Sequence, residues 1–188
     1  MNGLKKIGLV GMAITLLACG GSSSRQEANA AGFEVIEKEI KSKFGDEVYF
    51  TDLMISYNKS IGNIIGVTVT KAPESLKMGQ WNLMRGSWTQ NSEISLEVPE
   101  GTRAADFMFQ LNEKISLSKL GELAEQARKK LEEEKNIEKP AFKMAYIKFP
   151  KNGDIAKTEY VTVFTPENGG TNFTFSYKLN GDFIEMNY

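Results

Sequence analysis

Cysteine occurs once in this 188-residue chain, at Cys19, and histidine does not occur. A lone thiol forms no disulfide within its own chain, and without histidine there is no imidazole to activate it. The same absence removes Ser-His-Asp triads and every histidine-bearing metal site. Lysine-serine, lysine-only and carboxylate-only chemistries survive. Asp46, Glu47 and Asp52 lie close enough in sequence to pair as acid and base or to hold calcium. They lack the Asp-x-Asp-x-Asp-Gly spacing that calcium geometry demands. Gly62-Asn63-Ile64-Ile65-Gly66 reads as a turn leading into a strand, without the following helix that a phosphate cradle uses. The run Glu132-Glu133-Glu134, set among Lys129, Lys130 and Lys135, is what a solvated helix end looks like. No residue is assigned to catalysis, to a cofactor or to a metal.

The residues best suited to touch a ligand are Trp81, Arg85 and Trp88, within Trp81-Asn82-Leu83-Met84-Arg85-Gly86-Ser87-Trp88. An exposed indole beside a guanidinium can stack on a sugar or grip a peptide. On one regular strand the odd separation of the tryptophans sends them to opposite faces, unless a bulge at Gly86 realigns them. A core tryptophan beside an ordinary surface arginine is the commoner arrangement.

The setting of Cys19 points to attachment. Lys5 and Lys6 precede Ile7 to Ala18, twelve uncharged residues that are mostly apolar. Spanning a bilayer takes about 20 apolar residues, so this stretch fits the core of a secretory signal. It ends in Leu16-Leu17-Ala18-Cys19-Gly20, which resembles the lipobox of bacterial lipoproteins. The resemblance implies removal of residues 1–18, a diacylglycerol thioether on Cys19 and acylation of the new amino terminus. Several acyl chains give stable anchoring where one does not. Glycine rather than aspartate after the cysteine points, by analogy with enteric bacteria, to the outer membrane facing the periplasm. Residues 19–32, small and polar after the cysteine, read as a flexible tether.

Removing residues 1–18 takes two of the 23 basic side chains, leaving 21 against 24 acidic ones, a net of −3. No basic stripe stands out, so nucleic acid, whose binding leans on phosphate neutralisation, is not an expected partner. The remaining elements alternate between two periods. Phe33, Ile36, Ile40 and Phe44 recur at helical spacing, with Glu34–Lys38, Glu37–Lys41 and Glu39–Lys43 as i,i+4 pairs and Gly45 as a stop. Leu120, Leu123, Ala124, Ala127 and Leu131 line a second helix, begun at Ser116 or Ser118. Nearly everything else reads as β, with period two in Val67–Thr70, Ile94–Val98, Phe107–Leu111 and Phe173–Tyr177. Asn180-Gly181 is the strongest hairpin signal. The expected architecture is α+β: two helix-then-antiparallel-meander units, 33–111 and 116–188, packed as one body. This order is similar to that of PepSY-like domains and tandem β-lactamase inhibitor proteins, a likeness that implies exported binding or inhibitory modules.

The expectation is a membrane-anchored envelope lipoprotein with a non-enzymatic binding role toward a protein, peptide or glycan. An inhibitor or chaperone-like module is the alternative, and a small carboxylate-based hydrolase comes third.

Overall fold

Helices form where the apolar period is 3.6 and a capping side chain is available. α1 (Ala30–Phe44) is capped by Asn29, whose Oδ1 accepts the Gly32 N–H at 2.7 Å, and ends at Gly45 in a positive-φ conformation. It buries Phe33, Ile36, Ile40 and Phe44. α2 (Leu117–Glu134) is capped by Ser116, whose hydroxyl accepts from the Lys119 N–H, and buries Leu120, Leu123, Ala124, Ala127 and Leu131. The two helices pack on each other and on one face of a sheet. The computed structural model that shows this describes residues 23–188, so Cys19 and the signal segment lie outside the described residues.

Eight strands form one antiparallel sheet: β1 (Tyr49–Asn58), β2 (Gly62–Thr70), β3 (Lys77–Met84), β4 (Ser87–Ser95), β5 (Ala141–Lys148), β6 (Glu159–Thr165), β7 (Phe173–Lys178) and β8 (Phe183–Asn187). Their order is β4-β3-β2-β1-β5-β6-β7-β8. Each helix is thus followed by a four-strand meander, and β1 and β5 meet antiparallel at the centre. The architecture is α+β, as the periodicities predict. One row of side chains crosses all eight strands beneath the helices: Trp88, Leu83, Ile65, Ile55, Ala145, Thr162, Phe175 and Met186.

Residues 96–116, between β4 and α2, serve both sides of the sheet. Leu76, Ile94, Leu96, Val98, Ala104 and Met108 gather around Met78 on the face away from the helices. Phe109, Leu111 and Ile115 then return to the helix side, where Phe109 stacks on Phe50 and exchanges backbone hydrogen bonds with it. The strand expected over Phe107–Leu111 is therefore corrected. Ala104–Phe107 is a short 3-10 turn, and only an isolated bridge joins Phe109 to Phe50. The alternation is real, but it reflects a segment wedged between two clusters. β4 likewise ends at Ser95, short of Val98.

The tether expected to run through Gly32 is corrected on its C-terminal side. Ser23 is only 4% exposed. The buried Asn63 side chain donates to the carbonyls of Ser23 at 3.0 Å and Gln26 at 2.7 Å. A Cβ on Gly62 would collide with the Ser24 carbonyl, and one on Gly121 with the Asn29 carbonyl. Small residues allowed this segment to lie flush against the body, which a search for apolar period cannot register.

Candidate binding site

The structure brings the two tryptophans together. Arg85 and Gly86, both at positive φ, form the two-residue turn of the β3–β4 hairpin. Leu83 pairs with Trp88 and Trp81 with Gln90, so both indoles share the helix-side face. The expectation of opposite faces treated as one strand what is two strands and a turn. Trp81 and Trp88 meet the Phe44 ring edge-on, with centroids 5.6 and 4.9 Å away. Trp88 Nε1 donates to Glu39 Oε1 at 3.3 Å, and Lys43 Nζ lies 4.9 Å over the Trp81 ring. Glu39 and Lys43 thus serve the indoles, and their expected mutual pair is not among the ion pairs of the described residues. Glu34–Lys38 and Glu37–Lys41 do form. Arg85 is exposed at the turn, and it stacks on no indole among the described residues.

The carboxylates do not converge. Asp46 and Glu47 are exposed between α1 and β1, whereas Asp52 stands on the helix-free face of β1, opposite Thr68. Desolvation pushes the Asp52 carboxyl above its ordinary range. Among the described residues no three His, Cys, Asp or Glu side chains could hold a metal ion. Glu132, Glu133 and Glu134 are exposed on the last turn of α2.

A cleft that the sequence did not flag lies where the chain enters the body. The last helix-side residue of β1, Tyr57, is 46% exposed. It stands at the junction of three adjoining pockets. The first encloses about 330 Å³ between Arg25, Glu27, Asn63, Arg128, Pro140, Phe142 and Phe164. Lys59, Lys143 and Glu167 line its neighbour. Neither Arg25 nor Arg128 is ion-paired among the described residues, while Lys143 donates to Asn172 Oδ1 at 3.2 Å. The floor is aromatic, with Phe142 meeting both Phe33 and Phe164 edge-on. Two unpaired guanidinium groups above an apolar floor suit a planar or tetrahedral anion with an apolar portion, because each guanidinium can bind such an oxyanion through two parallel hydrogen bonds. These residues come from five separate stretches of chain, without a shared spacing.

The helix-free face offers a second surface. Met54, Tyr146 and Val161 form one cross-strand row, and Ser56, Met144 and Val163 the next. The same face also carries Asp52 and the Lys148–Glu159 ion pair.

No family model, curated protein or solved structure matches the chain. Its functional reading rests on its own residues and their geometry.

Proposed function

We propose that the chain is a lipoprotein of the cell envelope, anchored by acylated Cys19, whose body binds an anionic ligand in the Tyr57 cleft without transforming it. The observation that carries the binding reading is that Arg25 and Arg128 line the same pocket and neither is ion-paired among the described residues. A guanidinium left unpaired beside aromatic walls retains its full capacity for an incoming anion. A hydrolase of the two-carboxylate kind needs a second acid beside Glu27, the carboxylate that lines the same pocket as Arg25 and Arg128. The lipobox-like Leu16-Leu17-Ala18-Cys19 supports the anchoring. Among the described residues no helix is long and apolar enough to cross a membrane.

Two measurements test this reading. Cells fed a fatty-acid analogue should label the wild-type protein and leave Cys19→Ala unlabelled; an unlabelled wild type removes the anchor. Inorganic phosphate, at matched ionic strength against chloride, should raise the Tm of the wild type by binding the native state. The shift should vanish in Arg128→Ala. A wild-type Tm indifferent to phosphate removes the cleft.

A further inference from the structure

The described residues begin at the end of the molecule where the cleft lies. Cys19 precedes Ser23 by four residues, and Ser23 is fixed by Asn63 at the pocket whose walls include Ser24, Arg25 and Tyr57. Four residues span at most about 14 Å when fully extended. An acylated Cys19 lies at the membrane interface, so the entry point of the chain is confined to the headgroup layer or just above it. The cleft opens beside that entry point. Its three adjoining pockets carry four cations, Arg25, Lys59, Arg128 and Lys143, against the carboxylates Glu27 and Glu167. Tyr57 projects among them, a side chain whose apolar ring and polar tip suit the membrane interface.

We infer that the anion held in this cleft is the phosphate of an anionic phospholipid headgroup, so the body docks on the bilayer that its own anchor enters. Arg25 and Arg128 take the phosphate oxygens, Lys59 and Lys143 add attraction to the charged surface, and Tyr57 rests against the glycerol region. The inference relies on the lipoprotein reading for its geometry, because the short link to Cys19 is what turns this end toward lipid. The acidic run Glu132-Glu133-Glu134 lies outside the cleft walls. Each basic side chain near an anionic surface strengthens binding about fivefold, so loss of both arginines should weaken it by more than tenfold.

Residues 23–188 contain both helices, all eight strands and both apolar clusters. A non-acylated chain of residues 20–188 therefore tests the headgroup contact apart from the anchor. It should co-sediment with phosphatidylcholine vesicles containing about one-third phosphatidylglycerol, and hardly at all with phosphatidylcholine alone. Raising salt from roughly 50 mM to 500 mM should release it. The Arg25→Glu, Arg128→Glu double variant should bind the anionic vesicles more than tenfold more weakly, with an unchanged circular dichroism spectrum. Tyr57→Ala, a change confined to a half-exposed side chain, should also weaken binding. Lys151→Glu, on the β5–β6 loop at the other end of the sheet, should bind as the wild type does. Equal binding to both vesicle types, or equal binding by wild type and the double variant, overturns the inference. So does a body stabilised by inorganic phosphate that ignores the vesicles, which would assign the cleft to a soluble anion. Fatty-acid labelling of Cys19 is read separately, so a failed anchor and a failed headgroup contact give different results.

Discussion

The two halves of the sheet follow the same course and fill their interiors in opposite ways. From the centre outward, the first half places Ile55, Ile65, Leu83 and Trp88 beneath the helices, whereas the second places Ala145, Thr162, Phe175 and Met186. The helices reverse the pattern. α1 brings Phe33 and Phe44, and α2 brings Leu and Ala side chains. Phe44 meets the indoles at the rim of the mainly aliphatic first-half strands, while Phe33 reaches Phe142 of β5. Where the helix is lean, Tyr160, Phe175 and Tyr177 make up the volume. Two layers need only match in total volume and pattern to pack densely. A helix-plus-meander can therefore be built twice with little sequence likeness between the copies.

The largest expected effect comes from removing the ring that fills the second half. Phe175→Ala should cost about 3–5 kcal/mol, and Leu83→Ala in the first half about 2–5 kcal/mol. Urea unfolding should show a single transition for each variant, since β1–β5 pairing and α1–α2 packing join the halves. A separate, earlier transition in either variant would show that the halves fold independently.

A smaller effect distinguishes the halves by pH. Burial pushes the Tyr177 hydroxyl up to about 12, and Tyr160 is raised for the same reason, despite the hydrogen bond it accepts from the Ser116 N–H. The unfolded tyrosine ionises near pH 10, so between 10 and 12 the unfolded state binds fewer protons than the native state. Stability present below pH 10 is then lost as the pH rises, by about 2–3 kcal/mol for Tyr177. Urea midpoints measured across this window should fall steeply for the wild type and less steeply for Tyr177→Phe. Equal slopes would remove Tyr177 from this role.

The smallest effect has the opposite sign. Thr162 is fully buried, and its hydroxyl has no hydrogen-bond partner among the described residues. Thr162→Val keeps the shape and removes that stranded group, so it should raise stability by about 1 kcal/mol. A loss measured by the same denaturation would mean that the hydroxyl is satisfied.

Much of this framework was legible because periodicity reports which side of an element is wet. Phe33 through Phe44 and Leu120 through Leu131 mark the buried helix faces, and Asn180-Gly181 marks the turn between β7 and β8, where Gly181 adopts positive φ. The same signal failed at Phe107–Leu111, where Met108 and Phe109 go to opposite sides of the sheet without being part of a strand. It failed at the tryptophans because Arg85-Gly86 is a turn that neither proline nor Asn-Gly announces. The Tyr57 cleft left no trace of its kind, since Arg25, Tyr57, Arg128, Phe142 and Phe164 converge only through tertiary packing. One hint was available: Leu53, Ile55 and Tyr57 continue one buried face to the end of β1, where an amphipathic ring meets water.

The close seating of the first described residues has a mechanical consequence. Ser24 lies against Gly62 in β2 and Asn29 against Gly121 in α2, with Asn63 gripping the backbone at Ser23 and Gln26. A pull arriving along the chain from residue 19 is thereby shared between the first half, through Gly62 and Asn63, and the second half, through Gly121. The load does not peel one edge strand from the sheet, because β4 and β8 are not on its path. Under the proposed acylation of Cys19, such a load would move the whole body along the membrane plane as one piece.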